Sequence, residues 1–253
     1  VTFKDYFSRQ SADYARFRPR YPDELIKYLS ELVENRETAW DCATGNGQVA
    51  TALSRYFERV YASDGSQAQI SNAELDEKVE YFISVAESTP LPSGSIDLIA
   101  VAQAFHWFEA ERFFTEAKRV LKPGGIIALW CYDYFQLPDA DEALIASFTE
   151  FVEAIEPFWP PERQIVKDAY RSIAFPFEEI LTPGFFMEVR WTAEQTIGYL
   201  CTWSALQRYL DRRGEKEIAP LLQRLETGWG ECQRIRWSLP LRVGSYREEG
   251  DNC

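Results

Sequence analysis

The chain has 253 residues, with 27 Lys+Arg against 40 Asp+Glu for a formal net charge of −13, and 46% of it is apolar. That length and hydrophobicity suit one large domain, or one domain carrying an insertion, and exclude a disordered chain. The acidic balance argues against nucleic acid or an anionic membrane surface as partner, because both attract a basic face.

Leu25, Tyr28, Leu29, Leu32 and Val33 recur at helical spacing and predict an amphipathic helix. Thr38–Cys42 reads as a short strand ending at the glycine-containing turn Ala43-Thr44-Gly45-Asn46-Gly47, and Val49, Ala50, Leu53, Tyr56 and Phe57 form the next helical stripe. Strands are expected at Val60–Ser63, closed by Asp64-Gly65-Ser66, then at Val79–Ile83 and Ile96–Val101. A helix through Phe113, Phe114, Ala117, Val120 and Leu121 should stop at Lys122-Pro123-Gly124-Gly125, before a fifth strand at Ile126–Trp130.

After Trp130 the pattern changes. The stretch from Pro138 to Pro161 holds Asp139, Asp141, Glu142, Glu150, Glu153 and Glu156 and no Lys or Arg, and it predicts an acidic-faced helix in a lid over the sheet. Phe185–Val189 and Arg234–Leu239 read as two late strands, with helices over about Ala193–Arg213 and Lys216–Trp229.

Helices alternating with buried, nearly all-apolar strands imply an α/β fold with a mostly parallel sheet covered on both faces. The expected organisation is a single domain: an N-terminal cap segment over 1–36, a core over 37–135, a lid insertion over 136–183, and C-terminal helices and last strands over 184–247. In such sheets ligands lie outside the carboxyl ends of the strands, which points to Asp41 to Gly47, Asp64 to Ser66, Ala86-Glu87 and Ala102 to Trp107.

Five scattered cysteines without a C-x-x-C pair read as reduced thiols, which predicts a cytoplasmic protein without structural zinc. The opening Val1-Thr2-Phe3-Lys4-Asp5 has no signal-peptide pattern. The one histidine, His106, excludes a zinc site built on two or three imidazoles, and no metal is expected.

Gly45-Asn46-Gly47-Gln48-Val49-Ala50 satisfies a loose G-x-G-x-x-A, and Asp64 follows Gly45 by 19 residues. Both a dinucleotide and the nucleoside of S-adenosylmethionine (SAM) need glycine where the ligand nears the backbone and an acid for the ribose hydroxyls. Asp41 favours SAM, since a carboxylate before the loop repels a pyrophosphate and attracts a sulfonium and an ammonium. It could alternatively bond only the loop backbone.

Asp41-Cys42-Ala43-Thr44-Gly45-Asn46-Gly47 resembles motif I of class I SAM-dependent methyltransferases, with Ala43 standing where the first glycine is usual. Asp64 matches the ribose-binding acid of that family. Val85–Pro92 resembles its adenine-flanking loop, Ser95–Ile99 the strand that follows, and Arg119–Gly125 the turn into strand five. The resemblance implies a Rossmann-like, doubly wound seven-stranded sheet with an antiparallel last strand. Asp13–Pro22 and Ala102–Phe108 further resemble the trans-aconitate methyltransferase-like subgroup, which methylates carboxylates of small organic acids.

By resemblance SAM meets Tyr14, Arg18, Asp41, Ala43, Gly45, Gly47, Asp64, Ala86, Glu87 and Gln103. Arg18 would lie near the methionine carboxylate and Gln103 near the sulfonium. The acceptor would meet Arg20, His106 and Trp107, with His106 lining the site or serving as a base. The implied partner is a small-molecule acceptor, most simply a carboxylate, which needs no proton removed. C- or N-methylation, a nicotinamide-dependent oxidoreductase and a non-catalytic SAM-binding module are the alternatives.

Overall fold

A computed structural model of the chain describes residues 19–248. Helix α1 (Asp23–Glu31) buries Leu25, Ile26 and Leu29, and carries Asp23 and Glu24 in its first turn, where carboxylates favour the positive end of the helix dipole. There follow β1 (Thr38–Cys42), α2 (Gln48–Leu53), β2 (Arg59–Asp64), α3 (Gln67–Ser71), β3 (Val79–Ile83), β4 (Ile96–Ala102), α4 (Ala110–Val120) and β5 (Leu121–Trp130). Beyond them lie α5 (Glu142–Ile155), α6 (Gln164–Lys167), β6 (Glu178–Ile180), β7 (Phe185–Trp191), α7 (Ala193–Cys201), α8 (Ser204–Arg213), α9 (Ala219–Gly228), β8 (Gln233–Leu239) and β9 (Leu241–Ser245).

Seven strands form one sheet in the order β3-β2-β1-β4-β5-β9-β6. The first five are parallel, and β9 runs antiparallel to both β5 and β6. Alternate residues serve opposite faces. Ala39, Leu98, Ala100 and Ala128 pack with Leu25, Leu29 and Leu53, while Trp40, Ile99, Val101 and Ile127 pack with Phe113, Phe114 and Ala117. Burial on both faces is why these strands read as nearly continuous apolar runs. The parallel register sets Asp41 beside Ala62 and Ala100, so the carboxyl ends of β1, β2 and β4 open onto one edge, at the switch in strand order.

Three expectations differ from the structure. Phe185–Val189 and Arg234–Leu239 do form strands, but β7 and β8 pair only with each other as a separate antiparallel ribbon. The large sheet is completed instead by β9 and the short β6, and Pro240 lies where the chain passes from one sheet to the other. Lys122-Pro123-Gly124-Gly125 does not end the helix, because α4 already stops at Val120; these residues form an irregularity inside β5, where the register slips between Ile96↔Leu121 and Leu98↔Ile126. The late helical stretch breaks at Thr202-Trp203, where Trp203 turns into an aromatic cluster with Tyr199, Phe135 and Phe151.

The stretch 136–183 does not pack apart from 184–247. Helix α5 lies on α9, the turn Glu156–Phe158 lies on α8, and Phe135 stacks on Phe148 at 4.3 Å within one shared aromatic core. Its acids are largely paired. Asp139 meets Arg234, Glu150 meets Arg224, Glu156 meets Lys167, and Asp141 caps α5 by accepting the Leu144 N–H. The acidic run is therefore to a large extent a set of tethers across the helical layer. Among the described residues no helix is long and apolar enough to cross a membrane.

Candidate functional site

A cavity of about 440 Å³ opens at the carboxyl ends of β1, β2 and β4. Its floor is the loop Asp41 to Asn46, and its sides are Asp64-Gly65, Ser84 to Glu87, and Ala102 to Ala104. Trp107 to Glu109, Tyr132 and Glu162 form the far wall, and Pro19 and Tyr21 close the near one. The Tyr21 N–H donates to Gln48 Oε1 at 3.0 Å, and its ring meets Trp130 edge-on at 5.4 Å.

The loop after β1 is bent by three residues with positive φ: Ala43 at +56°, Gly45 at +58° and Gly47 at +82°. Gly45 faces open space, with nothing within 4 Å of where a Cβ would stand, so a ligand can approach the backbone closely there. Its N–H donates to Asp64 Oδ2 at 3.0 Å, and the Ser66 N–H donates to Asp64 Oδ1 at 2.8 Å. Two backbone donors thus fix the Asp64 carboxylate at the lip of the cavity. Asp41, only 1% exposed, accepts the Thr44 hydroxyl; burial, reinforced by the charge of Asp64, raises its carboxyl to about 7 against the opposing pull of Thr44 and the Ala50 backbone.

Glu87 accepts the Glu109 N–H at 2.8 Å, which ties the loop after β3 to the start of α4. Gln103 lines the cavity, and its side-chain amide is paired with the main chain of Tyr132. The described wall carries five carboxylates, Asp41, Asp64, Glu87, Glu109 and Glu162, and no Lys or Arg. An open glycine, a fixed carboxylate for vicinal hydroxyls and an acidic floor fit a ligand with a ribose and positive charge, and suit a pyrophosphate poorly.

Residues 40–129 match the family of the methyltransferase domain. A Dictyostelium discoideum protein, provisionally named a methyltransferase, is 35% identical over 254 residues, covering 98% of this chain and 96% of its own. An uncharacterised methyltransferase of Schizosaccharomyces pombe is 30% identical over 226 residues, 87% of each chain. The solved structure of a provisionally assigned type II methyltransferase from Anaeromyxobacter dehalogenans superposes with a TM-score of 0.83 at 37% identity, covering 90% of this chain and 98% of that one.

The chain belongs to the class I SAM-dependent methyltransferases. The dinucleotide reading of Gly45, Gly47 and Asp64 is thereby set aside.

The methyltransferase brings Asp41, Ala43, Gly45, Asp64, Ala86, Glu87, Gln103 and Trp107 together around one cavity. Tyr14 and Arg18 lie outside the described residues. Three other expected site residues sit elsewhere. Gly47 caps α2, and its lack of a side chain makes room for the Tyr81 hydroxyl. Arg20 forms an exposed ion pair with Glu74. His106, in the one-turn helix Phe105–Trp107, stands off the cavity lining, with Nδ1 3.3 Å from the Tyr170 hydroxyl and its ring against Trp107 at 4.7 Å. Burial pushes its pKa down to about 4, only partly countered by the Glu162 charge.

Beyond the expected site residues the cavity is also lined by Tyr21, Gln48 and Phe108, which lie within the motif stretches, and by Glu109, Tyr132 and Glu162, which do not. Tyr132 had a usable signal, since it follows β5 as the other lining residues follow β1, β2 and β4. Glu162 had none, because it arrives from the helical layer.

Proposed function

We propose that this methyltransferase transfers the methyl group of SAM, held in the 440 Å³ cavity, to a carboxylate oxygen of a small organic acid. The acceptor reading is carried by His106. The chain's one histidine is turned toward Tyr170 and held at a pKa of about 4, which makes it a poor base near neutral pH. An acceptor that needs nothing from this histidine is the simplest fit, and a carboxylate is already ionised at pH 7. The motif resemblance of Ala102–Phe108 to an acid-methylating subgroup supports the same reading.

When bound, SAM supplies a methyl group on a sulfonium, an electrophile that needs no nucleophile from the protein. The chain's own residues align and desolvate the reactants. Asp64 would accept the ribose hydroxyls, its orientation fixed by the Gly45 and Ser66 N–H groups. Ala86 and Glu87 would border the adenine, and Asp41 would face the positively charged end. Tyr14 and Arg18, carried by the resemblance alone, would fold over the methionine end, with Arg18 near its carboxylate. Trp107, Phe108 and Tyr132 would exclude water on the acceptor side.

A second reading has its own observation: the described wall carries five carboxylates and no Lys or Arg, which favours an amine acceptor. One screen decides between them. Small carboxylic acids and small amines are incubated with SAM, and release of S-adenosylhomocysteine (SAH) is read. Turnover with acids is expected; turnover confined to amines overturns the carboxylate reading.

A further inference from the structure

We infer that Gln103 is a positioning residue that shapes the site through Tyr132, an inference that rests on the reading of the cavity as the SAM site. Strand β4 ends at Ala102, paired with Trp130 of β5. At Gln103 the backbone turns to φ +54°, a left-handed conformation uncommon for any residue but glycine, and leaves the sheet. The Gln103 N–H still donates to the Trp130 carbonyl at 2.8 Å.

From there the side chain continues what the main chain has abandoned. Gln103 Oε1 accepts the Tyr132 N–H at 2.7 Å, and Gln103 Nε2 donates to the Tyr132 carbonyl at 2.9 Å. A carboxamide carries the same donor and acceptor as a peptide group, so the ladder between β4 and β5 gains one more step. The two bonds fix the peptide planes on either side of Tyr132, and with them the direction in which the ring leaves the backbone.

The ring stands at a junction. Tyr132 is 6% exposed and lines the cavity, and it meets Tyr21 of the near wall at 6.4 Å and Trp237 of the β7–β8 ribbon, in the aromatic core shared with the helical layer, at 6.5 Å. Gln103 thus holds the wall at which the cofactor cavity meets the layer covering it. One Nε2 proton and one Oε1 lone pair of Gln103 are not taken by Tyr132. Direct contact with the ligand is therefore the rival account.

The test is a double-mutant cycle on SAH affinity by calorimetry, using the full chain as wild type, Gln103→Gly, Tyr132→Ala and the double variant. Glycine accepts the left-handed turn, so the fold is expected to survive, which thermal melting checks. Gln103→Gly is expected to raise the SAH Kd about tenfold and to speed hydrogen exchange at the Tyr132 amide, whereas the double variant binds no worse than Tyr132→Ala alone. A loss from Gln103→Gly that persists in the Tyr132→Ala background makes Gln103 a direct ligand contact and overturns the inference. Unchanged affinity overturns it as well. Should Gln103→Gly fail to fold, Gln103→Met keeps the side-chain length and removes both bonds to Tyr132 without adding charge. A loss that vanishes beside Tyr132→Ala is then expected, and a loss that persists there, or no loss, is contrary. Asp64→Ala in the same titration tests the site reading separately: no weakening there means that SAH binds elsewhere.

Discussion

The Tyr81 hydroxyl occupies the space where a Cβ on Gly47 would stand. Tyr81 donates from that position to the Glu74 carbonyl at 2.5 Å, and the Glu74 N–H donates to the Asn46 carbonyl at 2.9 Å, so β3 is tied to the loop after β1 through Glu74. The two glycines of the loop therefore have different duties: Gly45 leaves room on the cavity side, and Gly47 leaves room for the protein itself. Gly47→Ala adds left-handed strain of about 1–2 kcal/mol to an overpacking cost of about 1–3 kcal/mol. Urea unfolding should show a loss of that summed order, partly recovered in Gly47→Ala/Tyr81→Phe. Gly45→Ala should lose only the strain while weakening SAH binding. Equal behaviour of the two glycines would contradict this division.

Ala43 holds φ +56° without the freedom of glycine. Ala43→Gly should therefore raise unfolding stability by up to about 1 kcal/mol, the relief of left-handed strain less the added freedom of the unfolded chain. A lower urea midpoint for this variant would show that the alanine methyl contributes packing that outweighs the strain.

Asp41 links pH to both stability and binding. Its carboxyl is raised from 3.8 to about 7 in the folded protein, so between about pH 4 and 7 the folded state holds the extra proton. Its contribution to stability is thus full below pH 4, declines as pH rises, and is lost above pH 7; Asp41→Asn should remove that slope. A positively charged ligand favours the ionised form, so the affinity for SAM should rise from pH 6 to 8 more steeply than that for neutral-sulfur SAH. Parallel pH profiles for the two ligands would place the sulfonium away from Asp41.

His106 acts in the opposite sense. Its pKa falls from 6.5 to about 4 on folding, so its contribution is full above pH 6.5 and is lost as pH drops toward 4. The two groups oppose each other between pH 4 and 6.5, and the difference curve of wild type against His106→Gln isolates the histidine. SAH affinity should be nearly unchanged in His106→Gln; a collapse of binding would mean that the residue reaches the site.

Much of this was legible in the sequence because punctuation and chemistry coincide. β1 and β3 have the expected bounds, and the residues after β1, β2 and β4 do meet at one cavity, because a parallel register brings the strand ends to one edge. What could not be read depends on distant partners. The role of Gly47 is set by Tyr81, the orientation of His106 by Tyr170, and the break at Trp203 by aromatic packing with no Gly or Pro to announce it. β6 was missed because Glu178-Glu179-Ile180 carries no apolar run, and its strand state comes from pairing with β9. The apolar residues of β7 and β8 signalled strands, but nothing local told which sheet they would join.

The most direct check of the SAM site is the position of SAH in a crystal structure of its complex with the full chain. Both ribose hydroxyls are expected within hydrogen-bond distance of the Asp64 carboxylate, the adenine beside Ala86, and the sulfur between the Asp41–Gly45 loop and the wall of Gln103 and Tyr132. SAH bound outside this cavity, or with its ribose turned away from Asp64, would contradict this assignment.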